Sequence, residues 1–250
     1  VTSTPNFILG IPHAPWRPER VESYRRLLKS IGRHAADDEQ TRTFAEKCAN
    51  YIWSEHMWKW AVSAGEKYGA THFLTLQDDV LAAPNFWRHL HAMVQSVPFA
   101  TIGLESVHPL ATQVAGHWYT TPDMLIGVGY VIPIRELREF LAWRSKLRKG
   151  ALESMNEDQM MGVWLFATDR RIWHPVPTII DHDVSLPSTY GNDRDPARRP
   201  SVKWTDREVP KDWPTAGVVD LSRFYRDTPN LARRWILDAS EDDYQRWLTL

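Results

Sequence analysis

The chain has 250 residues, of which 43% are hydrophobic and 24% charged, with a formal net charge of -1. These values suit a globular chain with a sizeable core and exclude a global electrostatic pull toward nucleic acid or an anionic membrane. The single cysteine, Cys48, excludes an internal disulfide framework and any CxxC zinc or redox site, and reads as a small buried helix residue.

Phe7 to Ile11 is a short apolar run before Pro12 and predicts a first strand. Its N-terminal flank has no basic stretch, so no signal peptide is expected; no run approaches the roughly 20 apolar residues of a membrane span. A cytoplasmic location is the expectation. Arg17 to Arg20 opens a helix, with Pro18 suited to the first turn. Val21, Tyr24, Leu27, Leu28 and Ile31 follow at helical spacing, and Gly32 ends it. Residues 33–43 read as a polar loop. Trp53, Met57, Trp60, Ala61, Ala64 and Tyr68 form one stripe and predict a long helix over 48–68, capped by Gly69.

Thr71 to Leu76 predicts a strand buried on both faces that runs into Asp78 and Asp79. Pro84-Asn85 starts a helix with Phe86, Leu90, Val94 and Val97 inward. A short strand follows over 100–104, another over 124–132 carries Gly127 and Gly129, and a basic amphipathic helix covers 135–149. Asn156 opens the next helix, and 171–177 reads as an edge strand. Residues 191–217, rich in Asp, Arg, Pro and Gly, read as a long mobile segment, followed by two short helices around 229–238 and 241–249. The alternation gives an α/β class with a mostly parallel sheet, in which ligands bind beyond the carboxyl ends of the strands.

Two adjacent carboxylates at the mouth of an apolar strand are costly without a positive partner. A hard divalent cation bridging phosphates is one such partner; the alternative is that one Asp caps the turn and the other is solvated. In Asn156-Glu157-Asp158-Gln159 a capping box explains the residues locally, while a carboxylate held rigidly at a helix N-terminus also suits a general base, Asp158. His182 follows the apolar run Val176 to Ile180 and sits between Asp181 and Asp183, polar company for a metal ligand.

The order of these pieces resembles the GT-A family of nucleotide-sugar glycosyltransferases: LTLQDDVLAAPNF, then GVGYVIP, then NEDQMMGVWL, then PTIIDH. The likeness covers about residues 5–192 and lies in motif order and spacing. It implies a catalytic domain over 1–192, with 193–250 a loop and helical extension packing on it. It implies a nucleotide-sugar donor, UDP-sugar first among them, and Mn²⁺ or Mg²⁺. Asp79 is then the main metal carboxylate, Asp78 assists it or meets the ribose, and His182 is a further metal ligand. Gln77 stands where many members carry another Asp, so the motif is a variant. Asp158 becomes the base of an inverting transfer, with Glu157 lining the sugar. Gly127 and Gly129 let backbone approach the sugar, or mark a strand bulge. The loop from Pro12 through His13 to Arg20 meets the nucleotide, with Arg17 and Arg20 as diphosphate candidates or as a solvated helix face. The segment 191–217 becomes a lid over the donor.

The acceptor is open. The helix over 135–149 carries six basic and two acidic residues, and 194–207 carries five basic and two acidic. Either these are solvated faces or they contact phosphates, which would admit a hydroxymethylated DNA base as acceptor, as in a phage or bacterial modification enzyme. Trp118, Trp173 and Trp204 are candidate stacking surfaces. A retaining transferase, a nucleotidyltransferase-like enzyme and a noncatalytic sugar- or nucleic-acid-binding module are the competing classes. The nucleotidyltransferase reading expects a Gly-rich phosphate loop after the first strand, which FILGIPHAPWRP lacks.

Overall fold

FILGIP forms β1 (Phe7–Pro12) and HFLTL forms β3 (His72–Leu76), and both are apolar almost throughout because helices cover both faces of their sheet. The computed structural model describes residues 4–32, 39–45, 47, 50–106, 116–122, 127–183, 185–186 and 212–221. The remaining strands are β2 (Thr41–Phe44), β4 (Val80–Ala82), β5 (Thr101–Gly103), β6 (Trp118–Thr121), β7 (Gly129–Pro133), β8 (Ile172–Pro175), β9 (Ile180–His182) and β10 (Val219–Asp220). The helices are α1 (Pro18–Ser30), α2 (Asn50–Tyr68), α3 (Phe86–Ser96), α4 (Ile134–Arg144), α5 (Lys149–Ser154) and α6 (Glu157–Ala167).

Eight strands form one sheet in the order β10-β6-β8-β5-β7-β3-β1-β2. The sheet is mixed: β1, β2, β3, β5 and β8 run one way, and β7, β6 and β10 run the other. Side-chain alternation splits the interior into two cores. Phe7, Leu9 and Ile11 pack with Tyr24 and Leu27 of α1 and with Phe86, Leu90 and Met93 of α3. Ile8, Phe73, Tyr130 and Ile132 face the other way, onto Trp58 of α2, Phe140 of α4 and Trp164 of α6. The α/β class and the three-layer arrangement follow from this.

Several expected elements move. The polar stretch 33–43 ends in a strand, β2, that pairs with β1 on the sheet's edge. The strand expected over 124–132 begins at Gly129, with 127–128 in a turn and 123–126 outside the described residues. The helix expected over 135–149 is two helices, α4 and α5. β8 is interior, between β5 and β6, because Trp118–Thr121 adds a strand beyond it. The helices expected near 229–238 and 241–249, Cys48, Trp204 and most of 191–217 lie outside the described residues. The described part of that last segment puts Trp213 in the core against Trp118. Among the described residues no helix is long and apolar enough to cross a membrane.

Candidate active site

The carboxyl ends of β1, β3, β5 and β8 and the start of β7 lie along one edge of the sheet. β3 delivers its chain into the turn 77–80, closed by Val80 N–H donating to Gln77 O at 3.2 Å. Asp78 and Asp79 therefore leave the sheet at this edge, yet both are buried, Asp79 at 0% exposure.

Their burial is compensated from three other segments. The loop after β1 supplies Ala14 N–H, 2.8 Å from Asp78 Oδ2, and His13 Nδ1, 2.9 Å from the same oxygen. His13 is itself held by its ring stack on Tyr24, with centroids 4.3 Å apart. α1 supplies Arg20, whose guanidinium donates to Asp78 Oδ1 at 2.9 Å and also pairs with Asp79 Oδ2. β9, the antiparallel partner of β4 in a separate two-stranded sheet, supplies His182. Val80 pairs with His182 in antiparallel register, and Asp183 N–H donates to Asp79 O at 2.9 Å. This brings His182 Nε2 to 2.7 Å from Asp79 Oδ2. Arg26 of α1 clamps the same strand end, donating to Asp183 Oδ2 at 2.7 Å. Burial pushes the Asp79 carboxyl up, but the hydrogen bonds and charges of His182 and Arg20 outweigh it and hold Asp79 below the usual carboxylate range.

Asp79 and His182 are the side chains that would hold a divalent cation, through the facing Oδ2 and Nε2 atoms, since Nδ1 lies on the opposite side of the ring from that contact. Asp79 Oδ1 and His182 Nδ1 are buried without a hydrogen-bond partner, and a carboxylate with an imidazole is a donor pair that Mn²⁺ accepts. No group of three or more His, Cys, Asp or Glu side chains that could hold a metal ion occurs among the described residues.

One strand over, Asp158 faces Gly127. Gly127 N–H donates to Asp158 Oδ2 at 3.3 Å, and a Cβ at Gly127 would stand 3.3 Å from Asp158 Cβ. Gln77 N–H donates to Val128 O at 2.9 Å, which ties this turn to the residue preceding the acidic pair. Asp158 sits in the first turn of α6, where Gln159 N–H donates to its Oδ1 at 2.9 Å and the Gln159 side chain accepts from Asn156 N–H at 3.0 Å. The capping chemistry and the contact with the turn before β7 thus coexist on one carboxylate.

Other expected residues go elsewhere. Glu157 does not line a cleft. It points into the core, accepts from Tyr130 Oη–H at 2.9 Å, and Tyr130 in turn accepts from Trp58 Nε1–H at 2.9 Å. Burial pushes the Glu157 carboxyl up to about 8, with the Tyr130 hydrogen bond working against the rise and the Asp158 charge adding to it. Gly129 has a packing reason: a Cβ there would stand 2.5 Å from Ile180 Cδ1. Arg17 turns outward toward Glu19 at 3.7 Å and does not join the acidic pair. Pro12 closes β1 and leads His13 into place, where His13 N–H donates to Phe44 O at 2.9 Å.

The basic helix is not a free phosphate surface along its whole length. Arg144 is buried and pairs with Glu55 of α2, and Arg138 pairs with Glu66 at 2.6 Å. Trp118 is fully buried against Trp173 and Trp213, so it presents no stacking face. Sequence reading missed Tyr24, Arg26, Trp58 and Tyr130 as supports of the site. Tyr130 alone carried a signal, as a polar-tipped aromatic inside the apolar run GVGYVIP.

No protein-family model and no curated protein matches the chain. Among solved structures, A197 from STIV is similar with a TM-score of 0.43 at 14% identity, over 82% of this chain and 97% of that one. A glycosyltransferase involved in the glycosylation of the major capsid of PBCV-1 gives a TM-score of 0.30 at 12% identity, over 58% of this chain and 70% of that one. At these scores neither likeness bears on what this chain does.

Proposed function

We propose that the chain is a GT-A-type glycosyltransferase that moves a sugar from a nucleotide-sugar donor, a UDP-sugar in the first instance, to a hydroxyl acceptor with inversion. The observation that carries this reading is the convergence of Arg20, Asp78, Asp79 and His182 from separate segments at the carboxyl edge of the sheet, with the Asp158 carboxylate facing the adjoining turn.

Asp79 and His182 would hold Mn²⁺ or Mg²⁺, which when bound offsets charge on a departing diphosphate. Asp78, fixed by three donors, orders the loop 12–14 that meets the nucleotide. Asp158 takes the proton of the acceptor hydroxyl as that oxygen bonds to the anomeric carbon and the sugar–phosphate bond breaks. Glu157 acts through Asp158 as a positioning residue: its bond to Tyr130 pins the first turn of α6.

Donor binding and transfer separate these roles. Asp79→Ala is expected to lose metal-dependent UDP binding in calorimetry. Asp158→Asn is expected to keep that binding and to lose about 10²–10⁴-fold in transfer rate. Near-full transfer by Asp158→Asn would remove the inverting assignment and favour a retaining mechanism.

A further inference from the structure

Arg20 occupies an unusual place for a residue at the third position of a helix. It is 4% exposed, and its Nη1 sits between Asp78 Oδ1 and Asp79 Oδ2. The same Asp79 oxygen also receives His182, while Asp79 Oδ1 stays buried without a partner. The protein thus already places a cation at the edge of the position where a divalent ion would bind.

We propose that Arg20 is a resident counter-ion: its guanidinium holds Asp79 in the ligand-free protein, and moves to a phosphate oxygen when a divalent cation arrives together with a nucleoside diphosphate. The proposal rests on the donor-site reading above. Its physical basis is charge balance. Two buried carboxylates without a cation are costly, and the Arg20 guanidinium offsets that cost. A divalent ion added to this arrangement meets a guanidinium bonded to its own carboxylate ligand, and the two cations repel at short range in a poorly solvated site. The negative diphosphate removes that conflict. It contributes oxygens to the metal and offers the planar guanidinium a pair of oxygens for bidentate bonding. Metal alone is therefore held weakly, and metal with diphosphate is held well.

The test titrates Mn²⁺ alone, followed by the paramagnetic signal of the free ion, into the wild-type chain and Arg20→Gln, and repeats both with UDP. Arg20→Gln is expected to bind Mn²⁺ alone about tenfold tighter or more than wild type, since it removes a nearby like charge. It is also expected to lose most of the gain that UDP gives the wild-type chain. Asp79→Asn in the Arg20→Gln background should abolish the new affinity, which places the ion at this carboxylate. Unchanged or weaker Mn²⁺ affinity in a folded Arg20→Gln protein overturns the proposal.

Where Arg20→Gln fails to fold, the wild-type chain answers instead. The Arg20 side-chain nitrogen resonance, assigned with Arg20→Lys, should move on saturation with Mg²⁺ and UDP and stay in place with Mg²⁺ alone. No movement with bound UDP overturns the proposal. Failure of UDP to bind at all, with Mn²⁺ affinity still rising in Arg20→Gln, sinks the donor reading and leaves the counter-ion in place. Normal UDP binding with no rise in Arg20→Gln does the reverse.

Discussion

Glu157 shows how a single buried carboxyl ties stability to pH. Its carboxyl rises from 4.5 to about 8 because burial disfavours the charged form. The folded chain therefore binds the Glu157 proton more tightly than the unfolded chain does. The stability this contributes is full below about pH 4.5 and is lost as pH rises through about 8. Glu157→Gln keeps an acceptor for Tyr130 and cannot ionise. The wild-type chain is expected to lose on the order of a few kcal/mol more stability than Glu157→Gln between about pH 6 and 9, read from urea midpoints. Equal losses would mean that Glu157 ionises without cost. His72 acts on the acid side with opposite sign. Burial lowers it to about 4, so its neutral form is favoured and its contribution is lost as pH falls from 6.5 through about 4. Of these residues the sequence made Asp78, Asp79, Asp158 and His182 visible through motif order. It hid the inward turn of Glu157, because a first-turn glutamate satisfies capping rules whichever way it faces. It also hid the Arg20–Asp contacts, since nothing local links residues 58 positions apart.

At the scale of elements, the two-stranded antiparallel sheet of β4 with β9 does the work of assembling the site. Its register, Val80 opposite His182, sets the histidine on Asp79, and Ile180 of the same strand packs where Gly129 lacks a side chain. Gly129→Ala would place a Cβ 2.5 Å from Ile180 Cδ1 and 3.0 Å from Leu76 Cδ2. Overpacking of this kind is expected to cost about 1–3 kcal/mol of stability. Combining Gly129→Ala with Ile180→Ala should cost less than the sum of the single changes in a double-mutant cycle, because the trimmed side chain vacates the space. Strict additivity would show that the contact is not the source of the cost. The long elements were readable because their apolar residues recur at a regular period: Tyr24, Leu27 and Leu28 of α1, Met57, Ala61 and Ala64 of α2, and the unbroken run of β3. β4, β9 and β10 were not, since two or three residues carry no period. β6, WYTT, was missed because two aromatics followed by two threonines make neither a continuous apolar run nor an alternation.

Across the whole molecule, two apolar cores clamp a mixed sheet and leave its carboxyl edge to polar groups from distant segments. The sequence-level expectation of an α/β sheet with chemistry at that edge agrees with this architecture. Its mostly parallel character holds for five of the eight strands, while β6, β7 and β10 run the other way, because strand direction depends on the path of connections and leaves little trace in composition. Metal-assisted sugar transfer is the central claim. Its most direct measurement is nucleoside diphosphate release from a panel of nucleotide sugars by the whole chain, with Mn²⁺ and with EDTA. The expected result is release from one donor, a UDP-sugar first among them, with Mn²⁺, abolished by EDTA and by Asp79→Ala. Absence of release from every donor, together with no metal-dependent nucleotide binding, would contradict it.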